Sequence, residues 1–187
     1  MRLKAIYRWR GLLAALPVIF SIFCFWGEYE NYLVVWPLGL LLFGLGWALR
    51  MWAQKYLGYR LRIKRSITTS GPYALVRNPI YIGNTLVILG AVVMSKVLWM
   101  VPVTLLWCGI VYSLVVRYEE QQLVVKYGRE YRDYLVAVRR WLPRLTSPSG
   151  KAHFPSSPQQ ILLAELHVVF IIAAPLLKAF IIAPFLE

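Results

Sequence analysis

Two polar groups of residues stand between apolar stretches of this 187-residue chain. The first is the run G-P-Y-A-L-V-R-N-P-I-Y-I-G over residues 71–83, and the second is the adjacent carboxylate pair Glu119 and Glu120. Carboxylates beside a membrane-type apolar segment are costly to bury, so they require a partner or a ligand. If the two apolar stretches between the groups fold back as a hairpin, both groups lie at one membrane face. The pattern therefore predicts a binding site at the cytoplasmic boundary of a membrane.

The residues around this predicted site have complementary charges. Pro79 opens a predicted helix, where a missing N–H group costs nothing, and the free N–H groups of that first turn attract an anion. Arg77 and Asn78 supply further donors just before it. Glu119 and Glu120 are acceptors for an ammonium group or for ribose hydroxyls. An anion-binding helix start that faces an acidic pair suits a zwitterion such as an amino acid.

Three motifs in a fixed order carry a resemblance to a known family. They are G-P-Y-x-x-x-R-N-P-x-Y-x-G at 71–83, E-E-x-x-L-x-x-x-Y-G-x-x-Y-x-x-Y at 119–134, and R-R-W-L-P at 139–143. The sequence resembles the isoprenylcysteine carboxyl methyltransferases, whose relatives include the membrane phospholipid methyltransferases. Many members have histidine where Asn78 stands, so no acid–base role is carried over to this position.

The resemblance implies a methyltransferase that uses S-adenosylmethionine as the methyl donor and needs no metal. It also implies that the catalytic residues are Arg139 and Arg140, either of which would orient an acceptor carboxylate by paired hydrogen bonds. Gly83 would allow the backbone to approach the cofactor closely. The cofactor-binding residues implied by the resemblance are Tyr73, Arg77, Asn78, Pro79, Tyr81, Gly83, Glu119, Glu120, Tyr131 and Tyr134.

The composition favours a small polytopic membrane protein. Hydrophobic residues make up 59% of the chain and charged residues 16%, while the net charge is +13. Because the basic residues adjoin apolar segments, the charge indicates contact with membrane lipids rather than with nucleic acid. Cys24 and Cys108 lie in apolar runs and are predicted to be free thiols. His153 and His167 lack metal-ligand spacing, so no metal site is predicted.

The apolar segments predict an all-α integral membrane protein with a single domain over 1–187 and about five transmembrane helices. A helical hairpin is expected because only Ser95 and Lys96 separate two of the segments. The basic connector over 50–77 places the amino terminus and the cofactor site in the cytoplasm. An amphipathic helix on the membrane is expected within 126–151, and turn-rich linkers at 147–150 and 155–158. The predicted spans are 12–26, 32–53, 80–94, 97–116 and 161–186, the last of them spanning or re-entrant, and the methyltransferase core is 71–143.

Several functions stay open at this point. With no histidine near the motifs to take a proton, a carboxylate or thiolate acceptor is favoured, on a lipophilic small molecule or lipidated partner that enters from the bilayer. The alternatives are a phospholipid N-methyltransferase, a thiol S-methyltransferase, an NADPH-dependent sterol-type reductase with a similar R-x-P-x-Y-x-G word, and a non-enzymatic membrane scaffold. The expected location is the inner (plasma) membrane in a bacterium or the endoplasmic reticulum in a eukaryote.

Overall fold

A computed structural model describes residues 2–57, 67–144 and 158–182. Within these ranges the chain forms helices joined by turns, with no β-strand, so the predicted all-α class is confirmed. Some predictions fall outside the described residues. They concern the basic residues at 58–66, the Ser/Pro-rich linkers at 147–150 and 155–157, His153, and the end of the last apolar run at 183–186.

Two of the described helices are long and apolar enough to cross a bilayer, namely Tyr32–Leu57 and Met100–Tyr127. The apolar helices Arg10–Phe23 and Pro79–Met94 are shorter. The helices in chain order are α1 Arg2–Arg8, α2 Arg10–Phe23, α3 Tyr32–Leu57, α4 Pro72–Leu75, α5 Pro79–Met94, α6 Met100–Tyr127, α7 Arg129–Ala137 and α8 Pro158–Leu177, which continues as a π-helix over Lys178–Ile182.

The predicted segments differ from the helices mainly at their carboxyl ends. Helix α2 stops at Phe23 rather than at 26, whereas α3 runs on to Leu57. The hairpin is present as α5 and α6, and the Tyr81 and Tyr112 rings pack across it with centroids 4.9 Å apart. Helix α6 continues well past 116 and ends at Tyr127, just before Gly128, whose φ of +57° favours glycine. The acidic pair therefore lies inside a helix rather than after it.

The amphipathic helix expected over 126–151 is much shorter in the structure. Helix α7 covers only Arg129–Ala137, because Gly128 breaks the chain before it and Val138 is extended after it. Tyr131 and Tyr134 are buried together with Ile67, and their rings are 5.8 Å apart. Helix α7 therefore packs its aromatic face on the protein.

Glycines bring α3 and α5 into backbone contact. A Cβ atom placed on Gly90 would lie 2.6 Å from the carbonyl oxygen of Gly39 and 2.7 Å from the nitrogen of Phe43. A Cβ atom on Gly46 would lie 2.7 Å from the carbonyl oxygen of Gly83 and 2.7 Å from the nitrogen of Val87. Small residues commonly permit such close helix pairs in membranes. This pair holds the start of α5, and with it the first polar motif, against α3.

Helix α8 is fixed by a charged residue near each end. Glu165 accepts two hydrogen bonds of 2.9 Å from the Arg50 guanidinium, and both side chains are buried. Thirteen residues later, the buried Lys178 ammonium donates to the carbonyl oxygens of Ser21 and Ser95, each at 2.9 Å. Ser95 lies in the α5–α6 turn, whereas Arg50 packs beside Gly83 near the start of α5. Helix α8 therefore runs along the bundle from the polar-motif side towards the opposite end.

At that opposite end, Glu28 is paired with two lysines. Its carboxylate oxygens lie 2.8 Å from the nitrogen of Lys178 and 2.7 Å from that of Lys96. Burial raises the pKa of Glu28, but the hydrogen bonds from Lys178 and Lys96 outweigh it and hold this pKa below its ordinary value of 4.5. The cluster joins the α2–α3 loop, the α5–α6 turn and the end of α8.

This cluster predicts acid sensitivity. A carboxyl with a lowered pKa in the folded state stabilises that state above its ordinary pKa, and the stabilisation is lost as the pH falls through the lowered value. We therefore expect wild-type protein to unfold at a higher temperature than Glu28→Gln at neutral pH, and the difference to shrink below pH 4.5. Thermal unfolding in detergent across this pH range measures the difference. A difference that stays constant with pH would assign the effect to packing rather than to charge.

Candidate functional site

The two predicted motif regions meet at one end of the bundle. The backbone N–H of Arg77 donates to the carbonyl of Arg139 at 2.9 Å, and Asn78 Nδ2 donates to the carbonyl of Arg140 at 3.3 Å. The Tyr134 hydroxyl donates to the carbonyl of Tyr73 at 2.7 Å. Burial raises the pKa of Tyr134 above its ordinary value, so this hydroxyl keeps its proton and acts as a donor. The segment after α7 is thus bound directly to the G-P-Y…R-N-P run.

Glu120 is held between two arginines. Its Oε1 lies 3.0 Å from Arg77 Nη1 and accepts a hydrogen bond from Arg140 Nε at 3.2 Å, while Oε2 pairs with Arg140 Nη2. The Glu120 and Arg77 side chains are 10% and 13% exposed, whereas Arg140 is 31% exposed. Arg140 is therefore the member of the cluster that most readily reaches a ligand from solution. We call these three residues the Arg77–Glu120–Arg140 cluster.

Glu119 points to a different neighbourhood. Successive helical residues lie about 100° apart around the axis, so the two carboxylates of the acidic pair diverge. The half-buried Glu119 side chain is influenced electrostatically by Tyr81, Arg10 and Tyr7. Tyr7 lies on α1 and Arg10 begins α2. The two carboxylates of the acidic pair therefore have separate neighbours.

Two buried polar atoms beside these clusters lack a hydrogen-bond partner among the described residues. They are the hydroxyl of Tyr73 and Nε of Arg77. Tyr73 is 8% exposed, and burial, with smaller contributions from Tyr134 and Glu119, raises its pKa above the ordinary value. A neutral phenol that makes no hydrogen bond is costly to bury. A ligand with hydrogen-bonding groups at this place would remove that cost.

The remaining predicted residues have mixed positions. Pro79 is fully buried at the first position of α5, as predicted for a helix start. Gly83 faces α3 rather than a ligand, because a Cβ atom on it would lie 2.8 Å from the carbonyl oxygen of Gly46. Tyr131 is buried beside Tyr134. The Arg139 side chain is exposed, and only its carbonyl joins the motif region. Of the two predicted catalytic arginines, the structure therefore brings the Arg140 side chain to the cluster.

Two open apolar concavities lie on the outer surface of the bundle. One, of about 400 Å³, runs along α6 past Leu106 and Ser113 to Arg117. The other, of about 600 Å³, lies between Ile22 of α2 and Phe170 of α8. None of the predicted site residues lines either concavity.

Comparison with known protein families supplies the decisive match. A family model described as phospholipid methyltransferase matches residues 34–130, slightly more than half of the chain. The chain belongs to the phospholipid methyltransferase family. The match confirms the relationship that the motifs predicted, and it includes the G-P-Y…R-N-P run and the acidic pair. Methyltransferase membership and the two candidate membrane helices together support a membrane methyltransferase.

Two similar proteins carry names that refer to metal resistance. The chain is 32% identical over 115 residues to the cobalt-zinc-cadmium resistance protein CzcN of Cupriavidus metallidurans, and 28% identical over 114 residues to the nickel-cobalt-cadmium resistance protein NccN of Alcaligenes xylosoxydans xylosoxydans. These alignments cover 62% and 61% of the chain but only 52% and 51% of the relatives, so the chain spans about half their length. No solved structure is significantly similar to the chain.

Sequence reasoning missed Tyr7 and Arg10. Both lie before the segment that matches the phospholipid methyltransferases, in a basic stretch that resembles an ordinary membrane-boundary sequence. Nothing in their spacing relates them to Glu119, which is more than 100 residues away. A buried carboxylate requires hydrogen-bond donors, but this requirement does not indicate which part of the chain supplies them.

Proposed function

We propose that the chain is an S-adenosylmethionine-dependent methyltransferase that acts on a lipophilic acceptor at a membrane boundary. Membership of a methyltransferase family supports the reaction class. The choice of donor is supported by the Arg77–Glu120–Arg140 cluster, in which two guanidinium groups pair with one carboxylate. The Arg140 side chain of this cluster is 31% exposed to solvent.

This cluster has the charges of a zwitterion site. A free amino acid end carries one carboxylate and one ammonium group, so guanidinium groups would take the first and a glutamate the second. Within the structure, the three side chains of the cluster pair with one another. Arg140 would exchange Glu120 for the ligand carboxylate, since its side chain is the most exposed of the three. The unpartnered Tyr73 hydroxyl and Arg77 Nε lie close by to hydrogen-bond the rest of the ligand.

The protein's part in the reaction is mainly alignment. Bound S-adenosylmethionine supplies a methyl carbon that its sulfonium already activates. The chain must hold the donor by one end, bring the nucleophile of the acceptor to the other, and keep water away. Tyr131 and Tyr134 of α7, buried against the motif region, are suited to excluding water from the cytoplasmic side. Arg139 is proposed to contact phospholipid headgroups because its side chain is exposed.

We further propose a single membrane domain of about five spanning helices with the site at the cytoplasmic face. The α5–α6 hairpin supports this arrangement, and so do the contacts of α8 with Arg50 near one end and with Ser95 near the other. About 20 Å of helix separates Glu165 from Lys178 at 1.5 Å per residue, which favours a spanning α8 over a re-entrant one. The membrane would be the inner one in a bacterium and the endoplasmic reticulum in a eukaryote.

Donor binding by purified protein tests the proposal. Isothermal titration in detergent is expected to show binding of S-adenosylmethionine, and Glu120→Gln is expected to weaken it about 10- to 100-fold, the usual value of a hydrogen bond to a charged group. Asp133→Asn is the matched control, because Asp133 is 73% exposed on α7 and its removal should leave donor affinity unchanged.

Other outcomes lead to other functions. If the protein bound NADPH but not S-adenosylmethionine, a membrane reductase would be the better assignment of its activity. Absence of both, in a protein shown by circular dichroism to be helical, would favour a scaffold. Equal weakening by Glu120→Gln and Asp133→Asn would show that the effect is one of net charge rather than of the cluster.

A further inference from the structure

The concavity on the outer surface of α6 is a groove between two rows of side chains. Residues four positions apart form such rows along a helix. One row consists of Leu105, Gly109, Ser113 and Arg117, and the neighbouring row of Leu106, Ile110 and Leu114. A Cβ atom added to Gly109 would meet nothing within 4 Å, and Leu106 and Ile110 are 67% and 50% exposed. The described part of the chain therefore leaves this groove open.

The two ends of α6 indicate how deep the groove lies in a membrane. Trp99 directly precedes the helix, and its indole N–H donates to the carbonyl of Trp26, another exposed tryptophan, at 3.2 Å. Tryptophans are enriched at membrane–water interfaces. From Trp99 to Arg117 the helix extends about 27 Å at 1.5 Å per residue, which is close to the ~30 Å thickness of a hydrocarbon core. Arg117 therefore lies at the opposite interface.

The groove has the length of a lipid chain in one leaflet. From Leu105 to Arg117 it extends about 18 Å along the helix, and half of a hydrocarbon core is about 15 Å. Its walls are apolar except for Ser113 and for Arg117 at its end. A chain lying in the groove would thus bring the headgroup of the same lipid to the level of the Arg117 guanidinium.

The charge at this end of the groove favours an anionic headgroup. Arg117 is exposed and makes no ion pair within the described part of the chain. The Tyr7 ring lies 5.1 Å from the Tyr118 ring, so that α1 packs beside the same end of α6. Lys4 and Arg8 of α1 are also exposed, and α1 contains no acidic residue. Basic residues at a membrane surface attract anionic lipids, and a guanidinium pairs well with phosphate.

We propose that the α6 groove binds one acyl chain of an anionic phospholipid whose headgroup pairs with Arg117. Lys4 and Arg8 supply further positive charge beside that headgroup. The lipid is a bound partner of the fold rather than the methyl acceptor, because none of the predicted site residues lines the groove. The inference goes beyond the proposed function, since it requires placement in a membrane but not methyl transfer.

A second copy of the chain is a poorer occupant of the groove. Small residues such as Gly109 and Ser113 allow close helix pairs in membranes. If two copies packed through this groove about an axis normal to the membrane, however, their Arg117 side chains would lie at the same level on facing helices. Two like charges without an acidic partner repel each other there, whereas a phosphate neutralises one of them.

Native mass spectrometry of the purified full chain tests the headgroup contact. The protein is offered equal amounts of phosphatidylglycerol and phosphatidylcholine with the same acyl chains. Wild type is expected to retain one phosphatidylglycerol in preference to phosphatidylcholine. Arg117→Gln should reduce this preference about fivefold, the factor expected for one basic residue near an anionic lipid surface. Arg129→Gln is the matched control, because Arg129 is 95% exposed at the start of α7, outside the groove, and its loss should leave the preference unchanged.

A second pair of variants tests the groove itself. Gly109→Leu places a side chain in the groove and is expected to abolish retention of both lipids. Gly44→Leu is its control, because Gly44 is an exposed glycine of α3 that also has nothing within 4 Å of an added Cβ atom. Circular dichroism checks that both variants are helical, and Arg117→Gln decides the question if Gly109→Leu does not fold.

Four results would overturn the proposal. They are equal retention of the two lipids by wild type, equal losses of preference in Arg117→Gln and Arg129→Gln, unchanged lipid retention in folded Gly109→Leu, and loss of a dimer mass rather than of lipid in that variant. The last result would assign the groove to an interface between copies of the chain. Because no donor is present in these measurements, their failure would leave the proposed methyltransferase function standing.

Discussion

Replacing Gly90 by leucine is expected to destabilise the protein by about 3 kcal/mol or more, the upper end of the usual cost of overpacking. A Cβ atom there would lie 2.6 Å from the carbonyl oxygen of Gly39 and 2.7 Å from the nitrogen of Phe43. Both are backbone atoms, so no side chain can rotate away to make room. Helices α3 and α5 would have to separate, and their close packing would be lost along with the placement of the first motif. Thermal unfolding in detergent, followed by tryptophan fluorescence, measures the loss.

Two other glycines of the bundle provide matched controls, because their replacement by alanine is expected to raise the stability of the protein rather than lower it. Gly44 on α3 and Gly109 on α6 have nothing within 4 Å of an added Cβ atom. Alanine at either position should stabilise the helix by about 0.5–1 kcal/mol, because glycine loses more conformational entropy on folding. If Gly90→Ala and Gly109→Ala raised the unfolding temperature equally, the proposed backbone contact between α3 and α5 would be contradicted.

Local signals predicted the polar motifs and the helices around them, but not the directions of the side chains. Asn78 and Pro79 indicated the start of α5 because proline belongs at the first position of a helix. The divergence of Glu119 and Glu120 depends on α6 continuing through them to Gly128, and apolar periodicity fades before that point. The sequence alone does not distinguish a polar helix end that is buried by tertiary contacts from one that is exposed to solvent.

Glycines illustrate a second limit of prediction from the sequence. The sequence indicated that Gly83 allows a close backbone approach, and the structure confirms the closeness while showing that the neighbour is α3. A glycine in the sequence indicates only that another group approaches its backbone closely, not which group this is. Lys178 is similar, because its place in the last apolar run did not indicate the carbonyl groups of Ser21 and Ser95 that accept its hydrogen bonds. Such partners come from distant parts of the chain and have no local signature.

Removal of one member of the Arg50–Glu165 pair is expected to cost about 3–5 kcal/mol, as it does for other buried ion pairs. Two hydrogen bonds of 2.9 Å join the side chains, which are 4% and 2% exposed. Glu165→Leu would remove the acceptor of two hydrogen bonds from the buried guanidinium of Arg50. We expect a lower unfolding temperature and, because α8 loses its anchor near Gly83, easier proteolysis after the linker that precedes it.

The double variant Arg50→Met with Glu165→Leu separates charge from packing. Well-packed apolar residues can replace a buried pair at little cost, since the desolvation of both ions is then avoided. The double variant should therefore recover most of the stability that Glu165→Leu loses, whereas Asp133→Asn, in the exposed pair with Arg129, should change stability by less than about 1 kcal/mol. If the double variant were as unstable as Glu165→Leu alone, the shape of the two side chains rather than their charges would hold α8 against α3. Recovery would instead show that α8 docks by apolar packing, with the ion pair fixing its register beside the start of α5.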